Sequence, residues 1–219
     1  DRYEADDFAA SLVERFEGPE QEVYVITKDH DYFQLVSKYT RMWRVVDRKK
    51  REELEKKYGK SYMGKEVYEG IPTNVFEYTP QIVEGVLPEL IGPLLAIQGD
   101  PGDGIPGCKG VKSAAIPLLN EYGAIEEIYA AIEECENDTK KEKELTTFWK
   151  EIGVKVSPLK KLKAGKEEVF LSQKLAQMKR DIPIPYTLED FAFKVDREEL
   201  EKVLKEYEMN SIIKDIKAL

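Results

Sequence analysis

The segment that most constrains this chain is GDPGDGIPGCKG, Gly99 to Gly110, in which two aspartates precede a glycine-rich turn and a helix. Asp100 and Asp103 lie three residues apart on a kinked stretch, so both carboxylates could face one hard cation, which prefers oxygen ligands. Glycines let the backbone approach a ligand closely, and the helix after them offers free N–H groups to a phosphate. Because Gly, Pro and Asp are also ordinary turn formers, the segment alone predicts either a metal and phosphate site or a surface loop.

Composition narrows the class of protein. A chain of 219 residues can form one domain or two lobes, and it contains no apolar run near the twenty residues that span a bilayer. Two cysteines, Cys108 and Cys135, show no metal-ligand spacing and favour a reducing, intracellular setting. The net charge of −9 argues against a nucleic-acid partner. Carboxylates clustered around cations would partly cancel that objection.

A second acidic motif opens the chain. Residues Glu4 to Phe16 carry apolar side chains at helical spacing and predict a helix. Glu4, Asp6 and Asp7 share its first turn, where they either bind a cation or simply favour the positive end of the helix.

A third acidic motif ends the segment EVYVITKDHD, residues 22–31. Val23 to Ile26 predicts a strand buried on both faces, as in a parallel sheet. Asp29 and Asp31 come directly after it, at the carboxyl end of the strand, where open α/β sheets bind ligands. We interpret His30, between them, as an exposed loop residue.

The remaining pattern predicts further elements. Strands are expected at 41–46 and 74–78 on either side of a charged, exposed helix, and an apolar helix is expected from Thr79-Pro80 to Ile97 with interruptions at Pro88 and Pro93. Beyond Gly110 the chain is predicted to be helical, with helices around 114–119, 125–132, 167–179 and 197–207 and a rigid IPIPYT linker. Four lysines in SPLKKLKAGK form a basic cluster that either contacts phosphates or is a solvated loop: Lys160, Lys161, Lys163 and Lys166.

The three acidic motifs together offer seven carboxylates. Bringing them together without cations would be costly, because each charge disfavours the ionised form of its neighbours. Two divalent ions would stabilise such a cluster, activate a water beside a phosphodiester and neutralise the leaving oxygen. The chain offers no serine or cysteine triad as an alternative.

The order of these motifs closely resembles the 5′ nuclease family, which includes the 5′-3′ exonuclease domain of bacterial DNA polymerase I and the flap endonucleases. The resemblance rests on EADD, TKDHDYFQLV after an apolar strand, YTP, GDPGDGIPG with its glycine turn, and LSQKLAQMKRDIPI. It covers nearly the whole chain.

The resemblance implies an α/β fold: a PIN-like mixed sheet flanked by helices, then an all-helical lobe with a helix-three-turn-helix. We expect a nuclease core at 1–98 and the helical lobe at 99–219. It also implies Asp6, Asp29 and Asp31 as catalytic residues and two Mg or Mn ions. The implied metal ligands are Glu4, Asp6, Asp7, Asp29, Asp31, Asp100 and Asp103. The implied DNA contacts are Gly107, Lys109, Gly110, Lys112 and Ser113, around a monovalent cation such as potassium.

The chain departs from the family in three places. The family has a first strand ending in an aspartate and a basic arch before EADD, and since the chain begins at Asp1, we expect it to be a fragment or a processed product. GCKGVKSAA is about two residues shorter than the usual turn, and Gly104 stands where the family usually has asparagine.

The sequence therefore predicts a metal-dependent 5′-3′ exonuclease or flap endonuclease acting on DNA, monomeric, intracellular and nucleoid-associated, with no membrane contact. One alternative is a DNA-binding module without catalysis, whose missing N-terminal segment a second polypeptide could supply. Another is a small PIN-like ribonuclease.

Overall fold

The computed structural model describes residues 3–59, 74–80, 84–193 and 196–218. Contacts between Cα atoms divide the chain into two compact units, Asp1–Pro183 and Ile184–Leu219, which are taken separately below.

The first unit contains a three-stranded mixed sheet. Strands β1 (Val23–Ile26) and β2 (Thr40–Val45) run parallel, and β3 (Val75–Tyr78) runs antiparallel to β2. The crossover between the parallel strands carries a short 3-10 helix, Asp31–Leu35. The predicted mixed sheet is confirmed, and within the described residues no sheet strand follows Tyr78.

Helices make up most of the remaining first unit. They are α1 (Ala5–Phe16), α2 (Arg48–Tyr58), α3 (Ile91–Gln98), α4 (Lys112–Tyr122), α5 (Ile125–Glu133), α6 (Thr139–Glu151), α7 (Leu159–Ala164) and α8 (Lys166–Ala176), with a 3-10 turn at Pro88–Leu90 before α3. Gly123, in the left-handed region at φ 73°, ends α4.

Two details of the predicted elements are wrong. Strand β1 is only half-buried, and Ile26 is 66% exposed, because only β2 pairs with it in the described part of the chain. The predicted helix start at Thr79-Pro80 is not followed by helix at 84–87, and residues 81–83 lie outside the described residues. The apolar stretch instead becomes helical at Pro88, where proline suits the first turn.

One large core joins the sheet to the helices. Met42, Phe76 and Tyr78 from the strands and Phe33 from the crossover are buried in it, and Trp149 of α6 is fully enclosed. Helices α3 and α8 form the most extensive helix pair. A smaller cluster joins α1 and the crossover to the residues after α8, through Ala10, Val13, Leu35 and Met178.

The second unit is helical. A 3-10 turn at Leu188–Phe191 begins with Thr187, whose hydroxyl donates to Asp190, and it precedes α9 (Arg197–Glu206) and α10 (Asn210–Ala218), which pack on each other. Asp196 caps α9 by accepting the N–H groups of Glu198 and Glu199, each at 3.0 Å.

Candidate metal centre

The first turn of α1 presents three acidic side chains. Glu4 is its N-cap, and the Asp7 carboxylate accepts the Glu4 N–H at 3.2 Å. Asp6 accepts the N–H of Asp7 at 2.9 Å. Free N–H groups and the helix dipole favour anions here, so the local sequence explains why the acidic residues begin this helix.

The loop after β1 presents two more acidic side chains, those of Asp29 and Asp31. The Thr27 hydroxyl accepts the Asp29 N–H at 3.0 Å, and the Asp29 carboxylate accepts the Asp31 N–H at 3.1 Å. Asp31 begins the 3-10 helix, which buried Phe33 anchors in the core. A ring nitrogen of His30 lies 3.0 Å from the Arg44 guanidinium, so His30 faces β2.

The segment 99–110 folds as a narrow hairpin. Asp100 and Ile105 exchange both backbone hydrogen bonds, at 2.9 and 2.8 Å, and the Asp100 carboxylate accepts the Gly102 N–H at 2.8 Å. Buried Ile105 holds this turn against the protein. Asp103 is thereby exposed at the tip, on the same turn as Asp100.

Glycine is required where the two ends of the hairpin meet. A Cβ atom on Gly107 would lie 2.3 Å from the Gly99 nitrogen, and one on Gly99 would lie 2.8 Å from the Pro106 carbonyl oxygen. Both glycines have positive φ, 62° and 75°. The close backbone approach joins the two ends of the acidic turn.

The crossover and the hairpin bring three carboxylates together. Asp31, Asp100 and Asp103 each offer one oxygen, and these atoms lie within 4.8 Å of one another. A cleft of about 590 Å³ opens beside them. Six of the seven predicted ligands line it, namely Glu4, Asp6, Asp7, Asp29, Asp31 and Asp103.

The electrostatics of the cleft fit a cation. Burial, and then the charges of Asp29, Asp103, Asp100 and Asp6, raise the pKa of Asp31 to about 6. Burial and the neighbouring aspartates also raise the pKa of Asp103. Each shift reports unfavourable negative charge, which a divalent ion bound by carboxylate oxygens would relieve.

A segment after α8, residues 177–182, lines the cleft with Gln177, Met178 and Lys179, and we call it the strap. Its Lys179 N–H donates to the second Asp7 oxygen at 2.8 Å. Ser11 of α1, which is buried, donates to the Lys179 carbonyl at 3.2 Å and accepts the Ile182 N–H at 3.1 Å. The strap therefore holds the acidic first turn of α1.

The strap and α8 also hold the other two acidic elements. Gln34 of the crossover donates to the Ala176 carbonyl at 3.0 Å, and the Arg180 guanidinium donates to the Gln34 carbonyl at 2.6 Å. On α8, the fully buried Ser172 hydroxyl accepts the Gly107 N–H at 2.9 Å. The segment LSQKLAQMKRDIPI carries part of the family resemblance, but the sequence did not predict these hydrogen bonds. Hydrogen bonds between distant segments leave no periodic pattern in a sequence.

The predicted DNA contacts divide into two kinds. Lys109, Gly110, Lys112 and Ser113 are exposed around the start of α4. Gly107 is buried and its N–H is bonded to Ser172, so it shapes the turn from inside.

The basic cluster of SPLKKLKAGK lies on and beside α7. Lys163 pairs with Glu142, Lys166 pairs with Glu133, and the Lys161 ammonium donates to the Gly110 carbonyl at 3.1 Å. Three of its four lysines therefore have partners within the protein, which favours an internal role over the alternative of phosphate contact.

Among the described residues no helix is long and apolar enough to cross a membrane.

Protein-family models match two stretches of the chain. Residues 1–61 match the family model described as the 5′-3′ exonuclease N-terminal resolvase-like domain, and residues 86–199 match the 5′-3′ exonuclease C-terminal SAM fold. The T5 D15 protein, co-crystallized with metal ions, superposes with a TM-score of 0.47 at 18% identity, over 81% of this chain and 52% of that one.

Relatives of similar sequence are longer than this chain. DNA polymerase I of Bacillus caldotenax is 31% identical over 100% of the chain, which spans 21% of that protein. The 5′-3′ exonuclease of Aquifex aeolicus is 28% identical over 98% of the chain and 59% of its own length. With the C-terminal family model alone matching more than half of the residues, the chain belongs to the 5′-3′ exonuclease family.

Proposed function

We propose that the protein is a metal-dependent nuclease that hydrolyses phosphodiester bonds near DNA 5′ ends or at 5′-flap junctions. The observation that carries the proposal is the convergence of Asp31, Asp100 and Asp103, with carboxylate oxygens within 4.8 Å of one another. Membership of the family supports the reaction, and the exonuclease name of the Aquifex relative supports the polarity.

The donor set suits Mg or Mn, because it consists of carboxylate oxygens without histidine or cysteine. Asp31, Asp100 and Asp103 would hold one ion. The other acidic side chains of the cleft, Glu4, Asp6, Asp7 and Asp29, would hold a second. When bound, such a pair activates a water and neutralises the leaving oxygen.

The chain's own residues would orient this site. The Asp29 carboxylate fixes the Asp31 backbone, and the hairpin fixes Asp100 and Asp103 on one turn. Lys109, Lys112 and Ser113 at the start of α4 would contact the duplex backbone, with a potassium ion at the same turn. The hairpin would thus connect the duplex-binding residues at the start of α4 to the acidic cleft. A phosphodiester of the bound DNA would then reach the metals at a fixed distance from those residues.

Replacement of Asp29 and Asp31 together by alanine tests the proposal. In Mg²⁺ the double variant should lose cleavage of a 5′-flap DNA substrate, whereas Glu151→Gln, an exposed acidic residue of α6, should cut like the wild type. Undiminished cutting by the double variant contradicts the proposal. Structure-specific DNA binding with no cleavage in any divalent metal favours a non-catalytic DNA-binding module, and RNA cleavage exceeding DNA cleavage favours a PIN-like ribonuclease.

The cellular setting follows from this reaction. For a nuclease that acts on DNA we expect a location inside the cell, with the nucleoid, and we expect the protein to act as a monomer. Size-exclusion chromatography with light scattering tests the monomer.

A further inference from the structure

The acidic cleft poses an electrostatic problem for its substrate. Two divalent ions would carry four positive charges against the seven carboxylates of the site, so the acidic wall beside the neighbouring phosphates of the same strand would keep a net negative charge. Binding of a polyanion beside such a wall requires cations on the protein.

Two lysines line the same cleft as these carboxylates. Lys174 lies in the last turn of α8 and Lys179 lies in the strap, and both are exposed. Neither forms an ion pair with any carboxylate in the described ranges, although six acidic residues line the same cleft. Lys163 and Lys166, by contrast, are each neutralised by a glutamate.

Lys179 is also the better positioned of the two. Its backbone is held at both ends, since its N–H donates to Asp7 and its carbonyl accepts from Ser11. Its ammonium lies 5.6 Å from the centre of the Tyr3 ring, and Tyr3 directly precedes Glu4 of the cleft. The cation therefore stands at the α1 end of the cleft, on a backbone that does not need to reorganise.

We propose that Lys179, with Lys174 of the same cleft, binds a backbone phosphate of the substrate strand next to the phosphodiester at the acidic cluster. This inference rests on the proposed function, because it takes the strand through the cleft. It assigns the strap two roles, a structural one through its backbone and a substrate-binding one through its side chain.

The salt dependence of DNA binding tests it. Affinity for a 5′-flap DNA is measured by fluorescence anisotropy in Ca²⁺ at several salt concentrations, with the strand checked for integrity on a gel. Lys179→Ala should reduce the slope of log K against log salt by about 1, as expected for one lost phosphate contact. Lys179→Arg should keep the slope, and so should Lys155→Ala, which removes an exposed lysine outside the cleft.

Neutral methylphosphonates, placed one at a time along the strand, then locate the contact. At one position near the scissile bond the wild type should lose affinity while Lys179→Ala loses no more. Because alanine keeps both backbone hydrogen bonds of residue 179, its melting temperature should equal that of the wild type.

An unchanged slope in Lys179→Ala, or equal losses for wild type and variant at every methylphosphonate, overturns the inference. These results are separate from the test of the proposed function: a wild type that cuts flap DNA with no Lys179 effect rejects the inference alone. A wild type that shows the Lys179 effect but never cuts rejects the nuclease function alone.

Discussion

The Asp7 carboxylate accepts the backbone N–H of Lys179 at 2.8 Å, although the two residues are 172 positions apart. The same carboxylate accepts the N–H of Glu4, so one predicted metal ligand also joins the first turn of α1 to the strap. The acidic cleft is thus assembled by residues from both ends of the first unit.

Loss of the Ser11 hydroxyl should destabilise the protein. Ser11→Ala leaves the part-buried Lys179 carbonyl and the buried Ile182 N–H without their partner, which should cost about 1–3 kcal/mol of unfolding free energy. Urea denaturation measures the loss. Ser113→Ala, at an exposed serine of α4, should stay within about 0.5 kcal/mol of the wild type. Equal stability of the two variants would mean that the strap contributes nothing through Ser11.

Alanine at two glycines of the hairpin should have unequal effects. Gly107→Ala places a Cβ 2.3 Å from the Gly99 nitrogen at positive φ, and should cost about 2–5 kcal/mol. Gly104→Ala has the same backbone strain but open space around it, and should cost only about 1–2 kcal/mol. Thermal unfolding of both variants checks the difference, and similar melting temperatures would refute the close backbone approach.

Stability without metal should depend on pH through Asp31. Its pKa is raised to about 6 in the folded protein against 3.8 for a free aspartate, so between these values the folded state binds the extra proton. Its contribution to stability should therefore fall as pH rises from about 4 to about 6 and stay constant above. Asp31→Asn should remove this part of the pH dependence in chelator, with Glu151→Gln as control. Parallel pH profiles for wild type and Asp31→Asn would show that Asp31 titrates normally.

Local sequence predicted much of the site. Helical spacing of apolar residues predicted α1, and strand-forming residues predicted β1. The acidic residues lie at the start of α1 and directly after β1, where local backbone hydrogen bonds hold them. The glycines of the hairpin signalled tight turns, and Gly99, Gly104, Gly107 and Gly110 all have positive φ.

Long-range packing could not be predicted in the same way. The spacing of Asp7, Ser11 and Lys179 in the sequence does not indicate that they form hydrogen bonds with each other. The sequence around Ser172 is likewise typical of an ordinary helix and does not indicate its hydrogen bond to Gly107. The exposure of Ile26 likewise depends on which strands pair with β1, which an apolar run alone does not encode.

Binding of Mn²⁺ to the first unit's acidic cluster tests the central claim most directly. Titration at neutral pH, followed by the electron paramagnetic resonance signal of the free ion, should show saturable binding in the wild type. Asp31→Asn and Asp103→Asn, which each replace a charged carboxylate of the cluster by a neutral amide, should weaken it at least about tenfold, while Glu151→Gln should bind like the wild type. Equal binding by all four proteins would contradict the account, because the ion would then not be held where Asp31, Asp100 and Asp103 converge.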